Sequence, residues 1–207
     1  IKKNPFRPLL PDVHFIELNN FGDLNQITEK TAAVIMESIQ GDAGVRIPSK
    51  EYMQALRKRC SEVGALLILD EIQSGMGRSG KMWAFEHYDM VPDLMTSGKA
   101  LGAGLPIGCL AASNKLMQKF SVNPMLGHIT TFGGHPLVCA AAAAGLKVLR
   151  KEKLIEKVDE KAQLIKGYLK HPKIVEVRNR GLMFAVELQD AEQVQKVVLK
   201  GLEEGMS

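Results

Sequence analysis

The chain has 207 residues, 45% hydrophobic and 24% charged, with a formal net charge of +4; such a composition suits one large globular domain, or one domain and part of a second. Lys and Arg alternate with Glu and Asp, as in KEKLIEKVDEKAQLIK, and aromatics are only 5%, so the charge reads as solvated helix faces and a nucleic-acid partner is not expected. No apolar run approaches bilayer-spanning length, and the odd set Cys60, Cys109 and Cys139, without framework spacing, is expected as free buried thiols in a reducing cytoplasm.

The N-terminus, IKKNPFRPLLPD, has neither a signal-peptide core nor a start methionine, and EEGMS stops within a helical pattern. Both ends read as cut, so a fragment of a longer protein is expected. Residues 1–31 read as irregular chain with one short extended piece, VHFIEL. TAAVIMESIQ reads as a buried strand ending in a carboxylate. After the loop GDAGVRIPS, Ser49 is placed to cap the helix KEYMQALRKRCSEVGA, in which Tyr52, Leu56, Cys60 and Val63 recur at helical spacing. LLILDE is a second buried strand, and strand–helix–strand with continuous apolar strands indicates a parallel sheet covered on both faces. DLMTSGK and PIGCLAAS are also strand-like, set among the glycine clusters GKALGAGLPIG and GHITTFGGHP. Pro136 opens the small-residue helix LVCAAAAAGLKVLRKE, whose alanines fit a close helix interface. From residue 153 a charged helix, the alternating segment IVEVRNRGLMFAVEL and a last helix suggest the start of a smaller α+β domain. The expected fold class is therefore α/β, mostly parallel with helices on both faces over 1–152, plus part of a smaller α+β domain over 153–207.

LLILDEIQSGMGRSGK carries two incompatible signals. Gly75-x-x-x-x-Gly80-Lys81 imitates a phosphate-binding loop, and the apolar run ending in Asp70-Glu71 imitates the strand that holds its magnesium. The residue after Lys81 is Met82, which does not ligate a hard cation, and the loop follows the Asp strand instead of preceding it. The ATPase reading fails on both counts.

Parallel α/β sheets bind ligands at the carboxyl ends of their strands. Two strands here end in carboxylates, Glu37 and Asp70, and a third runs into a glycine-rich bend at Lys99. A lysine with a strand-end aspartate suits pyridoxal phosphate (PLP), the lysine forming the Schiff base and the carboxylate keeping the ring nitrogen protonated. The five histidines show no metal-ligand spacing, and no metal is expected.

Five motifs stand in order: MESIQGDAGV, LLILDEIQSGMGRSGK, VPDLMTSGKALGAGLPIG, HITTFGGHP and VRNRGLM. Together they resemble the class III, fold type I PLP-dependent aminotransferases, from about residue 28 to the C-terminus. The resemblance implies Lys99 as Schiff-base lysine and proton carrier, Asp70 as ring-nitrogen partner, Ile72 packed on a ring face and Gln73 on the ring hydroxyl. It implies Thr131, with Thr130 beside it, as a phosphate ligand donated across a homodimer with shared active sites. Arg178 matches a substrate-carboxylate arginine, Asp42 the acid that pairs with it, one methylene shorter than the usual Glu, and Glu37 a carboxylate near the substrate's distal end. The implied reaction transfers the terminal amine of an ornithine-like or other ω-amino donor, of acetylornithine or succinylornithine type, to 2-oxoglutarate, giving the semialdehyde and glutamate. Alternatives are a 4-aminobutyrate or ornithine transaminase, a glutamate-1-semialdehyde-type aminomutase, or a non-catalytic fragment. The family's phosphate cup and stacking aromatic, carried by its N-terminal half, have no counterpart here, so the 207 residues are not expected to complete a PLP site alone.

Overall fold

Four five-residue segments become strands, and three of them end in a carboxylate or a glycine. The computed structural model describes residues 11–123, 125 and 128–206. β1 (Ala33–Glu37), β2 (Leu66–Asp70), β3 (Leu94–Gly98) and β4 (Gly108–Ala112) form one sheet in that order. β1, β2 and β3 are parallel, with Glu37 opposite Asp70 and Asp70 opposite Thr96; β4 closes the series antiparallel to β3. The mostly parallel α/β sheet expected from the sequence is therefore present.

Between β1 and β2 runs α1 (Lys50–Val63), capped as expected by Ser49, whose hydroxyl accepts from the Tyr52 N–H. α1 buries Tyr52, Met53, Leu56 and Cys60 against Leu67 and Leu69 of β2. Successive strand residues face opposite sides, so Ile68 and Asp70 turn away from this core. Ile35, in register with Ile68, is 67% exposed, so at β1 the helix layer covers one face and the opposite face is open among the described residues.

The other expected segments show where tertiary context decides. VHFIEL joins no sheet; a 3-10 turn, Gly22–Gln26, follows it. The expectation of three buried thiols is corrected: Cys60 is buried, but Cys109 and Cys139 are exposed. Cys109 lies on the edge strand β4, and neither position is covered by another layer among the described residues. After α2 (Asn114–Met117) comes α3 (Pro136–Lys151), the alanine-rich helix. It packs against the Lys99 turn so closely that a Cβ on Gly145 would stand 2.9 Å from the Ala103 Cβ.

α4 (Val158–Tyr168) leads into β5 (Ile174–Arg180), β6 (Met183–Leu188) and α5 (Ala191–Glu203). The single alternating segment of the sequence is an antiparallel hairpin, with Arg180 opposite Met183. Gly181, at φ 54°, makes its turn, and a Cβ there would meet the Ser79 carbonyl carbon at 2.5 Å. The next residue, Leu182, donates its N–H to the Arg78 carbonyl at 2.8 Å. A second core of Ile39, Val45, Ala84 and Met183 seals this join.

Candidate active site

Asp70 ends β2 at the carboxyl edge of the sheet, half-buried, and its Oδ1 accepts the Ile72 N–H at 2.8 Å. Its other oxygen has no hydrogen-bond partner among the described residues. Across the register lies Thr96, whose buried hydroxyl also lacks a partner among the described residues. Parallel register partners point to the same face, so a half-free carboxylate and an orphaned hydroxyl share one side of the strand ends. Leaving a buried hydroxyl unpaired costs about 1–3 kcal/mol; neither Asp70 nor Thr96 is among the residues lining the two cavities described below.

Lys99 follows β3 directly and opens the 3-10 turn Lys99–Gly102 with φ at 44°. A non-glycine residue in that region is strained by about 1–3 kcal/mol, and such strain concentrates at ligand sites. The Lys99 side chain has no ion pair among the described residues. Ile72 lies beside the preceding Gly98, where a placed Cβ would sit 3.6 Å from Ile72 Cγ2. Gln73 lies over Gly41, where a Cβ would overlap its Oε1 at 1.9 Å. Lys99, Ile72, Gln73 and Gly41 line one cavity of about 570 Å³ together with Arg78 and Lys161. That volume is in the range of small-molecule sites.

Glu37 stands opposite Asp70 at the same strand edge, and its Oε2 accepts the Gly41 N–H at 2.9 Å. Thr130 and Thr131 are not brought to the cavity. They are exposed in the turn before α3, flanked by Ile129 at 72% and Phe132 at 79% exposure.

Arg178 is not brought to the cavity either. It lines a second cavity with Glu176, Arg46 and Lys166, although Val45 lines both. Its Nη1 donates to Glu187 at 2.5 Å and also to Glu176, and its Nε donates to the Gly44 carbonyl at 2.9 Å. The guanidinium hydrogen bond holds the Glu187 carboxyl below its ordinary pKa. Asp42 is exposed in the turn that supplies Gly44. Arg178 is thus tied to that turn and neutralised by two carboxylates of its own hairpin.

Motif and spacing alone miss Glu71. Only 1% exposed, it accepts from Ser38 Oγ at 2.5 Å, and from Ser74 Oγ, Ala84 N and Phe85 N at 2.9 Å each. A charged residue at the end of a buried run is the available signal, and the adjacent Asp70 accounts for that signal by itself. Glu71 ties the chain after β1, the turn carrying Ile72 and Gln73, and the N-terminus of the 3-10 helix Ala84–Tyr88 into one unit. Thr96 and Arg78 escape motif and spacing as well, because neither burial nor cavity lining is visible in the residue order.

A family model described as aminotransferase class-III matches residues 3–207. Over 197 residues the chain is 43% identical to an acetylornithine aminotransferase of Methanopyrus kandleri, covering 92% of this chain and 49% of the relative. It is 40% identical over 192 residues to a [LysW]-aminoadipate semialdehyde/glutamate semialdehyde transaminase of Sulfurisphaera tokodaii, covering 90% and 49%. Among solved structures, an ornithine aminotransferase of Toxoplasma gondii, with partial occupancy of PLP at its active site, matches with a TM-score of 0.87 and 36% identity, covering 98% of this chain and 49% of that one. An acetylornithine aminotransferase of Elizabethkingia anophelis gives 0.84 and 33%, covering 98% and 53%. The chain spans about half the length of these relatives.

Proposed function

The chain belongs to the class III aminotransferases, and from that membership we propose that the intact protein is a PLP-dependent transaminase. It moves the terminal amine of an acylated ornithine or similar ω-amino donor to 2-oxoglutarate, giving a semialdehyde and glutamate. The observation that carries this reading is the strained, unpaired Lys99, in one cavity with Ile72, at the same sheet edge as the half-free Asp70 and the orphaned Thr96 hydroxyl. These groups fit PLP: an amine for its aldehyde, a carboxylate for its ring nitrogen, an apolar side chain for its face. The names of the relatives, an acetylornithine aminotransferase and a semialdehyde transaminase, support the donor class.

Bound PLP supplies a cationic ring that withdraws electrons from the substrate carbon bearing the amine. Asp70 would hold the ring nitrogen and favour its protonated form by opposite charge, a charge-assisted hydrogen bond worth about 1.5–3 kcal/mol. Ile72 would pack on the ring and Gln73 would offer a hydrogen bond to its hydroxyl. Lys99 Nζ would hold the cofactor and serve as the base that moves the proton. Glu37 stands where a donor's distal amine can meet it. Arg178 receives no substrate carboxylate in this reading, because its Nη1 is held by Glu187 and Glu176 and its Nε by the Gly44 carbonyl; that carbonyl, in the same turn as Asp42, is braced by it. We place Thr131, with Thr130, against the phosphate of a second protomer in a cytoplasmic homodimer, supported by the exposed apolar Ile129, Phe132 and Leu137 around them.

Two measurements test the proposal. Purified intact protein loaded with PLP should show the visible absorbance of a lysine-bound cofactor and transfer amino groups from N-acetylornithine to 2-oxoglutarate. Lys99→Ala should lose both, and absorbance that persists in that variant refutes the assignment.

A further inference from the structure

Gln73 is placed by shape. Its side chain is exposed and makes no hydrogen bond among the described residues, so its amide is free to serve a ligand. What defines its position is Gly41, which lines the Lys99 cavity with it. A Cβ at residue 41 would stand 1.9 Å from the Gln73 Oε1, 2.6 Å from Cδ and 3.0 Å from Nε2. The carboxamide thus occupies the space that any other residue type would fill. No left-handed backbone demands glycine there, since Gly41 is not among the residues with positive φ.

The main chain on both sides of this contact is fixed. The Gly41 N–H donates to Glu37 Oε2 at 2.9 Å, and the Gly41 carbonyl accepts from Gly44 at 3.0 Å and Val45 at 3.3 Å. Gln40 exchanges two hydrogen bonds with Arg46 at 3.0 Å each. On the other side, Ser74 Oγ donates to Glu71 Oε2 at 2.9 Å and the Gly75 N–H to the Glu71 carbonyl at 3.0 Å. A side chain added at 41 therefore moves the flexible end, the Gln73 carboxamide, and leaves the two turns where they are.

We propose that Gly41 is a positioning residue for the cofactor: the side chain it lacks is the seat that holds the Gln73 carboxamide in place for the ring hydroxyl. The proposal rests on the transaminase reading above. Gly41 touches no reacting atom and acts through Gln73, while Glu37 pins the seat through the Gly41 N–H. A glycine in a cavity wall has a competing use, leaving room for the substrate, and the experiment separates the two.

The test is a double-mutant cycle in the intact protein: Gly41→Ala, Gln73→Ala and the pair. In a crystal structure of the cofactor-free Gly41→Ala variant, the Gln73 carboxamide should stand about 1.5 Å or more from its wild-type place, the shift that restores ordinary contact with the new Cβ. PLP affinity should fall about three- to tenfold in Gly41→Ala, the range for one lost hydrogen bond. Gln73→Ala should lose a similar factor and the pair no more than either. The pH midpoint of the visible band should shift alike in all three. Additive losses, an unmoved carboxamide or no loss in Gln73→Ala overturn the proposal. So does Gly41→Ala with unchanged PLP affinity and a raised KM for the amino donor, which would assign the glycine to substrate room. If Gly41→Ala alone does not fold, the pair decides: a pair that folds as Gln73→Ala does supports the seat, and a pair that also fails overturns it. A wild type with neither PLP binding nor a visible band fails the transaminase reading itself, whereas a loaded wild type with additive losses sinks the role of Gly41 alone.

Discussion

Replacing Glu71 by glutamine keeps the side chain's shape while changing what its end can accept. Each carboxylate oxygen takes one hydroxyl and one main-chain N–H: Oε1 accepts from Ser38 and Phe85, Oε2 from Ser74 and Ala84. A serine hydroxyl can rotate to accept from the new amide, but an N–H cannot. Whichever oxygen becomes NH₂, one buried main-chain donor therefore faces another donor. An orphaned donor costs about 1–3 kcal/mol, and the surviving bonds lose their charge assistance, roughly half their strength. Relief of the buried charge offsets part of this, leaving a net loss of about 3 kcal/mol. Glu71→Ala, which orphans both N–H groups and leaves a cavity, should lose about 5 kcal/mol. For a urea slope of about 2–3 kcal/mol/M, the Gln variant's unfolding midpoint should drop by roughly 1 M or more. Because the same carboxylate fixes the turn carrying Ile72 and Gln73, PLP affinity should fall with it. A midpoint unchanged in Glu71→Gln would refute the view that these four bonds hold the unit together.

Gly181→Ala should destabilise by about 3 kcal/mol, since the new Cβ meets main-chain atoms that cannot give way and the residue keeps a positive φ; a loss below about 1 kcal/mol by chemical denaturation would contradict that packing. His87 is held below its ordinary pKa by burial first, then by the Arg180 guanidinium and Lys81, against the opposing Ser79 carbonyl and Glu86. The folded state then binds fewer protons than the unfolded one, so this contribution to stability is complete above the unfolded value of about 6.5 and is lost as pH falls below it toward the folded value. His87→Gln should flatten the stability profile across that window, and a variant with the wild-type slope there would exclude His87 as its source.

Much of this arrangement is legible in residue order because the signals are local. The Ser49 cap, the helical spacing of Tyr52, Leu56 and Cys60, and the strand ends at Glu37 and Asp70 follow from short-range sterics and hydrogen bonding. The glycine-rich bend at Lys99 belongs with them. IVEVRNRGLMFAVEL shows where local signals stop: its alternation reads as one extended segment, and the hairpin depends on a glycine whose turn docks on the main chain of Arg78 and Ser79.

The amino-acid sequence alone determined most of the helices and strands, the mostly parallel sheet, and strand ends at Asp70 and before Lys99, since each follows from neighbours a few positions apart. Only the tertiary structure decided that Arg178 belongs to Glu176 and Glu187 while Arg78 and Lys161 line the Lys99 cavity. It alone showed that the Thr96 hydroxyl lacks a partner among the described residues and that Glu71 is fully satisfied. The reason is physical: a side chain's charge and hydrogen-bonding capacity are written in the sequence, but its partners are set by which distant segments the packed core brings within about 3 Å.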